Sequence, residues 1–211
     1  MPSEIILAST SPRRRQLMDE AGLIFSVQTV PVDEHHDEAM PLHELTRQNA
    51  ALKARSVAHL HPHAIVIGAD TLVSIENRAL GKPADLNEAL AMLRSLSGRA
   101  HEVGTAVCLV HEASRRAVQF EVITQVIFRT LSDAEISRYL ALIDPLDKAG
   151  GYAAQDHGEM IIDHIEGSLS NVVGLPWNGS RRKLPCSSTH SKPGYNNPRP
   201  YLTPAATPAA P

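Results

Sequence analysis

Ile5-Ile6-Leu7-Ala8-Ser9-Thr10-Ser11-Pro12-Arg13-Arg14-Arg15 is the stretch from which the fold can be read. Ile5 to Ala8 is a short apolar run of the kind that forms a buried strand. It stops at three hydroxyl residues. Pro12 then suits the first position of a helix, because the N–H it lacks would have no intrahelical partner there. Ser11 is the natural N-cap, its hydroxyl accepting from an amide one turn in. Leu17, Met18 and Ala21 give this helix an inward face, and Gly22 can close it in left-handed backbone. The charge is anomalous. Arg13, Arg14 and Arg15 crowd a helix start, where the dipole is positive and acidic residues are favoured. Either they solvate a surface turn, as charge runs generally do, or hydroxyls, free amides and guanidinium forks together cradle a phosphate. The stretch is not a Walker loop, since it has no Gly-x-x-x-x-Gly-Lys pattern.

Around this stretch the chain has 211 residues, 43% of them hydrophobic, enough for one domain with a substantial core and an appendage. The formal charge of −3 conceals a split, because residues 178–211 hold five Lys/Arg and no Asp or Glu, leaving −8 on residues 1–177. An acidic body with a local basic site suits a small polyanionic ligand and argues against a broad nucleic-acid surface. Two cysteines, Cys108 and Cys186, make no disulfide framework and fit a reducing compartment. With no basic, apolar leader and no run of about eighteen apolar residues, the expectation is a soluble cytoplasmic protein that does not engage a membrane. Seven of the fifteen prolines fall in residues 178–211, among Ser, Asn, Thr and Ala. That composition predicts a disordered tail after a domain spanning residues 1–177.

In chain order, residues 25–30 read as a strand ending in Asp33-Glu34-His35-His36-Asp37-Glu38. Those histidines and carboxylates read first as a solvated loop and second as transition-metal ligands. Leu42, Leu45, Asn49, Leu52 and Leu60 keep helical spacing, so a helix is expected from Pro41 to about His59, with Lys53 beside its apolar stripe. Residues 64–69 form a buried-strand run that should deliver Asp70-Thr71 at its C-terminal end, where α/β sheets bind ligands. A second strand over residues 72–75, a turn at Glu76-Asn77-Arg78 and the extended Gly81-Lys82-Pro83 come next. Asp85 should cap a helix bearing Leu86, Ala89, Leu90, Leu93 and Leu96, ending at Ser97-Gly98. Period-two patterning over residues 101–110 and 118–128 predicts an antiparallel pair, and Ser132 should cap a short helix with Ile136, Tyr139 and Leu140. The Gly-rich residues 147–155 suggest a loop that approaches a ligand closely. Residues 160–165 read as a last strand, with a turn of helix after Gly167.

The unusual residues sort by chemistry. Ser9, Arg13, Arg14, Lys53 and Lys82 offer cations and a hydroxyl to a polyphosphate. Glu34 and Asp70 suit a hard divalent ion or the activation of water. Thr71 and Gln155 can hydrogen-bond a base. As a set they are what nucleotide polyphosphate hydrolysis needs.

Six segments, in order, then resemble the Maf family of nucleoside triphosphate pyrophosphatases over about residues 4–177: Ser9-x-Ser11-Pro12-Arg13-Arg14, Gly68-Ala69-Asp70-Thr71, Gly81-Lys82-Pro83, Leu96-Ser97-Gly98-Arg99-x-His101-x-Val103, Asp147-Lys148-Ala149-Gly150-x-Tyr152-x-x-Gln155 and Asn171-Val172-Val173-Gly174-Leu175-Pro176. The resemblance implies an α/β fold of the Maf and ITPase type, an elongated mixed sheet flanked by helices with an active cleft between two lobes. It implies cleavage of a nucleoside triphosphate between its α- and β-phosphates to the monophosphate and pyrophosphate, with Mg²⁺ or Mn²⁺ as cofactor and a possible homodimer. By position Asp70 resembles the catalytic base, and Arg13, Thr71 and Gln155 the substrate-selecting set. Ser9, Arg13, Arg14, Lys53 and Lys82 resemble phosphate ligands, and Glu34 and Asp70 metal ligands. The Asp70-Thr71 pair and the segment ending in Gln155 resemble the branch acting on dTTP, UTP and modified pyrimidine nucleotides. A sister branch acting on 7-methyl-GTP and a nucleotide-binding regulator of cell division are the alternatives. The chain departs from the family pattern at Asp156, where glycine is usual, and after Trp177, where an amphipathic helix normally follows.

Overall fold

The computed structural model describes residues 4–35 and 40–177. The Pro-rich tail expected to be disordered lies outside the described residues, as do His36, Asp37 and Glu38. Seven strands form one mixed sheet in the order β2-β1-β3-β5-β6-β7, with β4 paired to β3. These are β1 (Ile5–Leu7), β2 (Ser26–Val27), β3 (Ile65–Ile75), β4 (Arg78–Leu80), β5 (Ala100–His111), β6 (Arg116–Phe128) and β7 (Ile162–Glu166). The helices are α1 (Pro12–Glu20), α2 (Leu42–Ala58), α3 (Leu86–Leu96), α4 (Asp133–Leu140) and α5 (Leu169–Val173). This is the mixed α/β sheet flanked by helices that the family resemblance implies.

The local signals act as expected. Ser11 caps α1 by accepting from the Arg14 amide, and Gly22 takes φ +72° just beyond the helix. Glu76 and Asn77 both adopt positive φ, the backbone a two-residue hairpin turn requires, so Arg78 already opens β4. Asp85 caps α3, and Ser132 with Glu135 closes a full capping box on α4.

Three expectations are corrected. Only Ser26–Val27 of residues 25–30 pairs as strand, since β1, its one neighbour among the described residues, is itself three residues long. The last strand starts at Ile162, because Met160 closes a 3₁₀ turn. Residues 64–69 and 72–75 are one continuous strand, so Asp70 and Thr71 lie in its middle and not at its end. The reason is the β5 ladder, which runs unbroken from Val66 to Ser74. On the other edge of β3 the ladder with β1 stops at Ile67 and that with β4 begins at Val73. Residues 68–72 fall in the gap, and the cleft opens there.

Alternation along β3 sends successive side chains to opposite faces. Ala69 packs with Leu7, Met18 and Leu175 beneath α1, whereas Gly68 faces α2. A Cβ on Gly68 would stand 2.4 Å from the Ala50 carbonyl oxygen and 2.6 Å from the Ala54 nitrogen. Only glycine allows the α2 backbone to lie this close to the strand, two residues before Asp70. Another apolar cluster, built on Leu93, Leu96, Ile136, Tyr139 and Ile161, joins α3 and α4 to the far part of the sheet. The cleft separates this lobe from the one carrying α1 and α2.

Candidate active site

A cleft of about 1340 Å³ is lined by every residue singled out from the sequence: Ser9, Arg13, Arg14, Glu34, Lys53, Asp70, Thr71, Lys82 and Gln155. Its volume exceeds that of a typical small-ligand pocket, and it is polar on several sides.

At its base Lys53 reaches from α2 to two carboxylates. Its Nζ lies 2.7 Å from Asp70 Oδ1 and 2.8 Å from Glu34 Oε2. The ammonium and Asp70 are largely covered, with side-chain exposures of 17% and 15%, while Glu34 at 39% faces outward. The close seating of α2 on Gly68 makes the first contact possible. The second depends on the loop after β2, where Asn49 holds the His35 backbone from both sides.

The arginines of the opening stretch divide. Arg14 turns inward, donating Nε–H to the Gly174 carbonyl at 2.7 Å, Nη1 to Ser9 Oγ at 3.2 Å and Nη2 to Thr71 Oγ1 at 2.9 Å. All three acceptors are neutral, and burial lowers its pKa, a shift partly opposed by Asp70. Arg13 instead pairs with Asp147 Oδ2 at 3.4 Å, and Lys148 Nζ holds the other oxygen of that carboxylate at 2.6 Å. Burial would raise the Asp147 pKa, but the Lys148 hydrogen bond and the charges of Arg13, Lys148 and Lys82 outweigh it and hold it low.

Behind Arg14 runs a chain of hydrogen bonds with a defined direction. Arg14 can only donate to Thr71 Oγ1, and Thr105 Oγ1 donates to the Asn171 carbonyl at 2.9 Å, which can only accept. The Thr71 proton must therefore point at Thr105 Oγ1, also 2.9 Å away. Toward the cleft Thr71 is left as an acceptor. Asn171 in turn donates to the Val103 carbonyl and to Thr124 Oγ1, which ties α5 to β5 and β6.

The remaining expected residues line the cleft without joining these networks. Lys82 is exposed in its extended segment, and Gln155 is exposed with its amide on Asp156. The Gly-rich segment does come to the site: Gly150 takes φ +72° and donates its N–H to the Gly81 carbonyl, so the Lys82 and Lys148 segments are joined. Tyr152 forms part of the wall and meets His101 Nε2 at 2.8 Å, both rings packing edge-on to Phe128. Burial lowers the His101 pKa from 6.5 to about 4, so the ring is neutral at pH 7.

Sequence reasoning missed Asn49, Thr105 and the Asp147–Lys148 pair as working residues. Asn49 carried a signal, being a polar residue at an apolar position of the α2 stripe. Thr105 carried none, since threonine is ordinary in a half-buried strand.

The two carboxylates pass a test for a divalent ion. Glu34 and Asp70 converge on one cation, the Lys53 ammonium, and Mg²⁺ is commonly held by one or two carboxylates together with substrate phosphates. Among the described residues no three His, Cys, Asp or Glu side chains form a cage that would bind a metal without the substrate. Nor is any described helix long and apolar enough to cross a membrane.

Known proteins match this chain in sequence. Residues 4–185 fit the family model described as Maf-like protein. The chain is 48% identical over 172 residues to the dTTP/UTP pyrophosphatase of Akkermansia muciniphila, covering 82% of this chain and 90% of that one. It is 44% identical over 173 residues to the dTTP/UTP pyrophosphatase of Pelotomaculum thermopropionicum, covering 82% and 91%. Among solved structures, the Staphylococcus aureus Ham1 protein aligns with a TM-score of 0.45 at 14% identity, covering 60% of this chain and 72% of that one.

Proposed function

This chain belongs to the Maf-like protein family, and from that membership and the cleft we propose that it is a nucleoside triphosphate pyrophosphatase acting on dTTP and UTP. The observation that carries the reading is the Lys53 ammonium shared between Asp70 and Glu34 on the floor of a cleft whose rim holds Arg13 and Lys82. In this reading Asp70 is the general base. Lys53 occupies Oδ1, leaving Oδ2 to take a proton from the water that attacks the α–β phosphoanhydride. Arg13, Lys82 and Lys53 neutralise the phosphate oxygens as charge develops on the pyrophosphate leaving group. Ser9 and Arg14 form the phosphate-facing end of the α1 turn, and Ser11 keeps that turn open by capping it. Glu34 and Asp70 would hold a Mg²⁺ or Mn²⁺ ion, which when bound supplies further positive charge to the bridging phosphates.

Base selection in this reading falls to Arg13, Thr71 and Gln155. Thr71 faces the cleft as an acceptor because its proton is committed to Thr105, and an acceptor suits the imide N–H of uracil and thymine. Cytosine presents a lone pair at the same ring position, and two acceptors face to face leave both unpaired.

The test is pyrophosphate release by purified protein over canonical and modified triphosphates. We expect dTTP and UTP to lead by kcat/KM. If 7-methyl-GTP leads, the pyrimidine assignment is wrong. If nucleotides bind without release of pyrophosphate, the protein is a nucleotide-binding regulator and not an enzyme.

A further inference from the structure

Asn49 is nearly sealed from solvent, at 4% exposure, and among the described residues its amide meets the backbone of a single residue. Its Oδ1 accepts from the His35 N–H at 2.7 Å and its Nδ2 donates to the His35 carbonyl at 3.1 Å. That is the pairing a neighbouring strand would offer, supplied here by a side chain from the middle of α2. Residues 31–35 belong to no helix or strand, so no regular ladder orients the peptide that follows Glu34. Asn49 also sits one helical turn before Lys53, on the same face of α2. The helix thus meets the loop twice, gripping its backbone at His35 and its charge at Glu34.

We propose that Asn49 is a positioning residue for the reaction, acting through Glu34 by holding its backbone in register with Lys53 and Asp70. The proposal rests on the reading of Glu34 as a working group of a pyrophosphatase. Its physical content is the division of the Lys53 ammonium. With the clamp in place, Glu34 and Asp70 share it at nearly equal distance. Without the clamp, Glu34 loses its fixed approach and Lys53 is left to Asp70 alone. Groups that act on a reacting phosphate must be placed within about 0.5 Å, and a displacement of about 1 Å at such a site costs on the order of 10²-fold.

The experiment is a double-mutant cycle read alongside hydrogen exchange, on the full chain. The single variants are Asn49→Ala and Glu34→Gln, and the double variant combines them. Asn49→Asp is the harsher probe, because it keeps the acceptor for the His35 N–H but sets a buried carboxylate oxygen against the His35 carbonyl. We expect Asn49→Ala to speed amide exchange at His35 and to lower kcat/KM for UTP about 10- to 100-fold, chiefly through kcat. Asn49→Asp should show a loss at least as large in the same direction, because it pushes the His35 carbonyl away. In the Glu34→Gln background, Asn49→Ala should add little further loss. Equal losses in both backgrounds would overturn the proposal and leave Asn49 a structural residue. So would unchanged exchange at His35. If the wild-type protein releases no pyrophosphate, it is the pyrophosphatase reading that fails, and the proposal falls with it.

Discussion

The charged groups on the cleft surface and the polar groups behind it obey different rules. On the surface, cations face carboxylates: Lys53 with Glu34 and Asp70, and Arg13 with Asp147. Running inward from it, Arg14 and Thr71 in the cleft wall and Thr105 and Asn171 behind them form a chain in which every partner is neutral oxygen and each proton has one direction. A surface cation can exchange a carboxylate for a phosphate oxygen and remain paired throughout. An interior group cannot, since removing its partner strands a buried donor or acceptor at a cost of about 1–3 kcal/mol. The comparison separates turnover from stability, and substitutions should separate them too.

Asp70→Asn should show the largest effect, and on turnover alone. The amide keeps the side chain's size but cannot take a proton from water, a role worth roughly 10²–10⁴-fold in kcat. Lys53 retains Glu34 as a partner, so the melting temperature should stay near that of the wild type. Near-wild-type turnover would remove Asp70 from the base role and make Glu34 the next candidate. A large fall in melting temperature would break the division between surface and interior at its most important residue.

His101 tests the interior side through pH. Burial holds its folded-state pKa at about 4, below the 6.5 of an ordinary imidazole. As pH falls, the unfolded chain takes up this proton first, so the contribution is whole above pH 6.5 and declines through the window down to about pH 4. The loss amounts to at most about 3 kcal/mol. Denaturant unfolding at several pH values should show this slope in the wild type. His101→Gln, which can still hydrogen-bond Tyr152 but does not titrate, should flatten it. An unchanged slope would mean that other groups govern acid stability.

Thr105→Val comes next, expected to cost about 1–3 kcal/mol by leaving the Thr71 hydroxyl proton without its acceptor and by taking from the Asn171 carbonyl one of two donors, the other being the Gly174 N–H. Thermal unfolding should register it, and Thr105→Ser should restore most of the loss. If valine is tolerated without a shift, the buried chain does not hold α5 to the sheet in the way its geometry indicates.

Legibility in the sequence follows the same boundary. Caps, turns and helix faces were readable because each depends on a few adjacent residues: Ser11 on the Arg14 amide, Glu76-Asn77 in the hairpin, Ser132 with Glu135. The residues lining the cleft were readable because cations and carboxylates are uncommon beside apolar runs. The position of Asp70 within its strand was not, because what opens the site is where β1 ends and β4 begins on the neighbouring edge. Nor was the split between Arg13 and Arg14. Adjacent residues on a helix point about 100° apart, and only the placement of Gly174 and Asp147 decides which arginine turns inward. Asn49 escaped because the His35 backbone that it grips is a partner with no side-chain signature.

Arg13→Ala should show the smallest effect on stability and so mark the surface end of the comparison. The side chain pairs with Asp147 at 3.4 Å, with exposures of 23% and 48%, and exposed pairs of this kind contribute about 0–1 kcal/mol. Two further terms act in opposite directions. Removing Arg13 relieves a positive charge that disfavours the buried Arg14 guanidinium and lies in the first turn of α1, where the dipole opposes cations. It also withdraws one of the charges that steady Asp147, although Lys148 remains on that carboxylate at 2.6 Å. The unliganded variant should therefore melt within a degree or two of the wild type, consistent with a change of less than about 0.5 kcal/mol. Its loss should appear only with substrate present, as a clear fall in kcat/KM for UTP, because a guanidinium fork at the rim engages phosphate where alanine cannot. A marked drop in melting temperature with unchanged kinetics would make Arg13 an interior residue in function, whatever its exposure.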